Sequence, residues 1–359
     1  MKFVEISPRE QAGSATAGKY DYQKDLSICM LLEHHQNGDD YLFVFDYHDD
    51  LAILNSETAP TKYEFFQIKT REGHWTLKSI LKRATGKKGT PLNSILGKMF
   101  MHVKNFENLT KSVTLVSNAE FKLQEKGEKV AKPTASVCLE NLVSTETDEI
   151  LNSIKEEFKP DPVNAEFLKI TFLKSNGLSV KESSTHTKGK LSEFLDKRTA
   201  GKKYNVEAVY KTIFDEVKRR TSFTGAISDL GQLKAQKGIG RSFFDEILQL
   251  VGVRKDYDKA WIDVNRHLTD DGVVYGDMLV YQKHWNTIEL DRMNPNNKML
   301  LDAIKELQKI ITRMKDNNAF SGKGILQCAQ LVLSEFNPSS PLPLDSKYLE
   351  TLVIVEMHE

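Results

Sequence analysis

The stretch "DDLAILNSETAPTKYEFFQIKTR", residues 49–71, limits the fold more than any other part of the chain. Side chains along a strand alternate with a period of two, so "YEFFQIK" turns Phe65, Gln67 and Lys69 to one face and Phe66 and Ile68 to the other. A glutamine and a lysine are thereby presented together in an otherwise apolar strand. Upstream, Asp50 opens the apolar run "LAIL", and the polar turn containing Pro60 predicts a hairpin that sets Asp50 alongside Lys69. A carboxylate beside a lysine on adjacent strands suits phosphodiester hydrolysis assisted by Mg²⁺ or Mn²⁺. The acid would hold the cation, and the ammonium would support the attacking water or the charge developing at phosphorus. On the preceding helix, Glu33 is the first candidate for a further ligand and Asp25 the second.

Around this hairpin the pattern alternates helix and strand. The spacing predicts a helix from about Tyr20 to Glu33, closed by the Asn-Gly turn in "HHQNGDD". "YLFVFDYH", "LAIL" and "YEFFQIK" then read as a small antiparallel meander. A helix over 91–105 is expected to carry Pro91 near its start, and "SVTLVSN" to follow as a strand. From about Thr145 the segments are long, charged and amphipathic, separated by the polar, loop-like "KESSTHTKGK". In "LLDAIKELQKIITRMK", Leu301, Ile304, Leu307 and Ile311 recur at core spacing. The domain change is expected between 150 and 225, giving residues 1–225 and a mostly helical region 226–359 for assembly or regulation.

Lysine plus arginine and aspartate plus glutamate number 50 each, so no global field advertises a nucleic acid or a membrane. Electropositive surface must be local. The best candidate is "LKSILKRATGKKG", where Lys78, Lys82, Arg83, Lys87 and Lys88 follow the polar strand and Gly86 and Gly89 loosen the loop. Lysines placed there would supply sequence-independent phosphate contacts. Lys98 and Asn118 are further candidates for the same cleft. Cys29, Cys138 and Cys328, odd in number and far apart, fit a reducing compartment and no zinc site. With no long apolar span and no signal-like N-terminus, the expectation is a cytoplasmic protein away from membranes. His34, His35 and His48 read as turn residues rather than ligands, and "SGKG" at 321–324 lacks the spacing of a phosphate loop.

The Asp50…Gln67-x-Lys69 pattern resembles the PD-(D/E)xK nuclease signature in the variant where glutamine replaces the second acid. "GKYDYQ", "NSILGKMF", "VTLVSNAEF" and "LGQLKAQKGIGRSFFDEIL" are similar, in order and spacing, to blocks of the double-stranded DNA endonuclease domain of bacterial anti-phage effectors, over roughly residues 15–250. The resemblance implies a restriction-endonuclease-like α/β fold, a central mixed sheet flanked by helices, with a mostly helical C-terminal region. It implies double-stranded DNA as substrate, Asp50 and Gln67 on the metal and Lys69 as the catalytic cation. Asp46, Asp49 and Asp50 compete for the acid position, with Asp50 leading because it directly precedes "LAIL". Gln23 either lines the active site or caps the helix start. A nuclease domain with a short helical tail is similar to the nuclease subunit of Lamassu-type defence systems. That likeness implies control by an SMC-like ATPase and a small accessory subunit, with a homo-oligomer as the active state. The alternative is a catalytically idle DNA-binding or scaffold subunit of such a complex.

Overall fold

The computed structural model describes residues 17–86, 89–159, 161–199, 204–252, 257–292, 297–337 and 345–358. The chain forms two compact units: Met1–Leu191 with Phe214–Arg241, and Ser192–Ile213 with Ser242–Glu359.

The first unit is built on the expected meander. Helix α1 (Ala17–Gln36) leads into β1 (Leu42–Phe45), β2 (Leu51–Leu54) and β3 (Tyr63–Lys69), each antiparallel to the next. All residues of β1 and β2 are buried. Such strands are covered on both faces, which is why they read as continuous apolar runs. The short β4 (Trp75–Thr76) and helix α2 (Leu77–Leu81) follow. Helix α3 (Ile95–Phe106) then crosses over to β5 (Thr110–Ser117), parallel to β3. Beyond it come β6 (Phe121–Leu123), β7 (Lys132–Thr134), β8 (Ser136–Cys138), α4 (Ser144–Phe158), the short α5 (Glu166–Lys169) and β9 (Thr171–Ser175). Helices α6 (Ser183–Thr199) and α7 (Val206–Ser222), of which Ser192–Ile213 counts with the second unit, and α8 (Leu230–Lys237) precede β10 (Gly238–Gly240). Among the described residues, seven strands form one mixed sheet in the order β10-β1-β2-β3-β5-β9-β8. Phe65, Phe106, Val113, Leu115 and Leu173 centre its core. The expected fold class, a mixed sheet flanked by helices with a helical C-terminal region, is the one observed.

Helix α3 starts later than the proline suggested. Ser94, not Pro91, caps it: its hydroxyl accepts from the Gly97 N–H at 2.9 Å, and its own N–H donates to Glu157 on α4 at 3.0 Å. A Cβ at residue 97 would strike the Glu157 carboxylate, so glycine there admits the capping group. Pro91 instead bridges Thr85 across a turn.

The polar "KESSTHTKGK" segment is not a loop: from Ser183 it is the start of α6. Tertiary bonds override its composition, with Ser183 Oγ donating to the buried Asp25 Oδ2 at 2.5 Å and Thr187 Oγ1 lying 3.4 Å from Cys29 Sγ. Strand β10 pairs antiparallel with β1, and a Cβ on Gly240 would strike the Glu57 carboxylate.

In the second unit, α9 (Arg241–Gly252), α10 (Tyr257–Asp270), α11 (Tyr275–Arg292), α12 (Lys298–Asp316), α13 (Ile325–Glu335) and α14 (Ser346–His358) make a helical bundle. The core stripe of α12 is as expected except that Leu300, not Leu301, takes the buried place. The apolar run "YLETLVIVEM" forms α14, with Thr351 through Glu356 buried in succession. Among the described residues, no helix is long and apolar enough to cross a membrane.

Candidate active site

The site begins where β2 and β3 meet. Their register pairs Leu51 with Phe66, so Asp50, one residue outside the ladder, stands across from Gln67. A tight turn delivers Asp50 there: Asp46 adopts φ +46° and its N–H donates to the Asp50 carbonyl at 3.2 Å. Asp50 Oδ2 accepts from the Ile68 N–H at 2.6 Å and from Lys69 Nζ at 3.2 Å. Burial pushes the Asp50 carboxyl up to about 6; Lys69 opposes that rise and neighbouring Asp49 adds to it.

Gln67 is 3% exposed. Its Nε2 donates to Asp49 Oδ1 at 3.3 Å, while its Oε1 is buried with no hydrogen-bond partner among the described residues. A buried amide oxygen left without a donor is costly, and a bound cation is one way to satisfy it. Asp49 is fully engaged: Oδ1 also accepts the Asp50 N–H at 3.0 Å, and Oδ2 lies 2.8 Å from His102 Nε2. His102, on α3, stacks on Phe65 with ring centroids 4.3 Å apart and planes 7° from parallel. From α1, Gln23 Nε2 donates to the Ile68 carbonyl at 3.0 Å, and so lies at the site rather than at the helix start.

The other candidates scatter. Glu33 is exposed and ion-pairs with Lys190 at 2.5 Å, ten residues beyond Gln23 on α1 and so about 15 Å further along the helix. The structure does not bring it to Asp50. Asp25 is buried against Ser183 of α6. Asp46 offers its carbonyl to Lys237 Nζ at 2.9 Å. Of the three competing aspartates, Asp50 is the one beside Lys69.

Lys98 lies one turn before His102 on the same face of α3. Lys82 and Arg83 are exposed, and Arg83 spends donors on the Leu92 and Pro91 carbonyls of its own loop. Lys87 and Lys88 lie outside the described residues. Asn118 clamps both the N–H and the carbonyl of Arg71, at 2.9 and 3.0 Å, pinning the exit of β3 to β5. The histidines are packing groups: His48 meets Phe106 edge-on, His35 Nδ1 bonds the Tyr41 hydroxyl at 2.8 Å, and burial holds the His34 pKa down. Among the described residues, no cluster of three or more His, Cys, Asp or Glu could hold a metal. A cation at this corner would have the Asp50 carboxylate and the Gln67 amide oxygen as its donors. The parts missed from sequence are Asp49 and His102 as a pair; the signal was a histidine on the apolar face of α3, between Met99 and Phe106.

The family model described as "Cap4, dsDNA endonuclease domain" matches residues 11–221. No curated protein and no solved structure matches the chain. The block at 230–248, expected to continue the resemblance, falls beyond the matched residues, as does β10. Since the match runs through more than half of the chain and through every element that builds the Asp50–Gln67–Lys69 corner, the chain belongs to the Cap4 dsDNA endonuclease domain family, nucleases of anti-phage defence.

Proposed function

We propose that the chain hydrolyses phosphodiester bonds of double-stranded DNA with the help of Mg²⁺ or Mn²⁺ and with little sequence preference. The observation that carries this reading is the buried, unpartnered Gln67 Oε1 beside the Asp50–Lys69 pair. Asp50 and Gln67 Oε1 are the groups that would hold the cation; Glu33, exposed and paired elsewhere, is not among them. When bound, the cation lowers the pKa of water at neutral pH and offsets charge on the scissile phosphate. Lys69 holds a positive charge at the mouth of the same corner, placed to stabilise charge that develops on phosphate oxygens. Both hydrogen bonds to Asp50 fall on Oδ2, which fixes the carboxylate plane against the end of β3. Gln23 steadies that end by binding the Ile68 carbonyl.

Exposed Lys78 and Lys82, with Lys98 on the site's own helix, would meet the DNA backbone. Contacts of that kind position the duplex and read no bases. Control by an SMC-like ATPase and a small accessory subunit, as in Lamassu-type systems, is the regulation we propose, with region 226–359 serving assembly and a homo-oligomer as the active state. The support is a nuclease domain carried on the same chain as a helical bundle.

Incubating plasmid with protein and Mg²⁺ tests the chemistry. Lys69→Ala is expected to cut on the order of 100-fold more slowly or worse, the usual loss when one charge-stabilising group is removed. Equal cutting by both proteins would sink the assignment, and salt-sensitive binding without cleavage would point to an idle DNA-binding subunit instead.

A further inference from the structure

Asp49 lies next to the candidate metal ligands and bonds Gln67 directly. It is 8% exposed, and three donors converge on it: His102 Nε2, the Asp50 N–H and Gln67 Nε2. An ionised carboxylate accepts and cannot donate, so whatever side chain faces it from position 67 must present a donor. An amide does so with one end only. Asp49 therefore decides which way Gln67 is flipped, and the end left over is Oε1, buried and without a partner.

From this geometry we infer that Asp49, anchored by His102, dictates an amide at position 67 and aims its oxygen at the cation. The inference rests on the reading of Gln67 as a ligand. It explains a departure from the signature: glutamate, the acid that glutamine replaces in this variant pattern, would set a second buried carboxylate about 3.3 Å from Asp49 Oδ1. His102 is the anchor because its stack on Phe65 fixes the ring while Nε2 holds Oδ2, leaving Oδ1 to face Gln67. Asp49 and His102 are positioning residues, acting on the cation through Gln67.

The pair can be swapped. In Asp49→Asn, with His102 Nε2–H still holding the side-chain oxygen, the new NH2 takes the place of Oδ1 toward position 67 and gives up the Asp50 N–H, so Gln67 turns its oxygen to that amide and withdraws it from the cation. In Gln67→Glu two carboxylates face each other. In the double variant, the asparagine at position 49 donates to the glutamate at position 67, and a ligand oxygen is again left over.

The experiment is a double-mutant cycle with two readouts. Melting of the metal-free proteins tests the pairing alone: Gln67→Glu is expected to lower the melting temperature by several degrees in the wild-type background and clearly less in Asp49→Asn. Equal costs in both backgrounds overturn the inference. Mn²⁺ titration followed by electron paramagnetic resonance tests the aim: each single variant is expected to bind at least tenfold more weakly, and the double variant within about threefold of wild type. Additive losses overturn the inference as well. Coupled melting together with no Mn²⁺ binding by the wild type would keep the Asp49–Gln67 pairing and remove the metal-site reading instead.

Discussion

At the scale of single residues, Asp50 carries its charge at a cost in stability. Its pKa rises from 3.8 to about 6 on folding, chiefly through burial. The folded chain then holds a proton that the unfolded chain has released, so stability falls as pH climbs from about 4 through about 6 and is level above that. Asp50→Asn removes the ionisation, so its stability relative to wild type should be greatest at pH 8 and should shrink toward none near pH 4. Thermal melts in chelator across that range check the sign. A constant offset between the two proteins would show that Asp50 is not a strained acid. Gln67 and Lys69 were legible in the sequence, because a polar pair two residues apart on an apolar strand has few explanations. Asp49 and His102 were not, since they are 53 residues apart and only the packing of α3 on β3 makes them partners.

At the scale of elements, legibility followed how local the stabilising interactions are. The β1–β2–β3 meander announces itself through apolar runs and turn residues. Strands such as Lys132–Thr134 and Gly238–Gly240 do not, being three residues long and rich in residues that disfavour strands. They exist because a partner strand offers its ladder. Helix α6 is the opposite surprise, a polar segment held helical by Ser183 and Thr187 against α1. Ser183→Ala would leave the buried Asp25 carboxylate short of a donor, a loss of about 1–3 kcal/mol readable by urea denaturation. For α3, Gly97→Ala should cost roughly 1 kcal/mol by displacing the Glu157 cap, yet cost little once Glu157→Ala has already removed it. An undiminished cost in that second background would mean the methyl group clashes with something other than the carboxylate.

At the scale of the whole molecule, the family match runs from residue 11 to 221, while the helical bundle of the second unit is built largely from Ser242–Glu359. If the C-terminal region assembles the active state, specific activity on plasmid should rise with protein concentration in step with the sedimenting mass. Constant specific activity under dilution would remove that role. DNA binding should also weaken steeply with salt although the formal charge is zero, because clustered lysines release counterions locally whatever the sum. By itself the sequence determined the hairpin and its polar pair, the helix-and-strand alternation and the nuclease likeness, all carried by short-range periodicity and ordered blocks. Only the tertiary structure decided which aspartate stands beside Lys69, that Glu33 is turned toward Lys190, and that Asp49 and His102 hold Gln67 by one end. The reason is physical: a side chain's partner is chosen by packing between elements distant in sequence, and strand or helix periodicity carries no record of that choice.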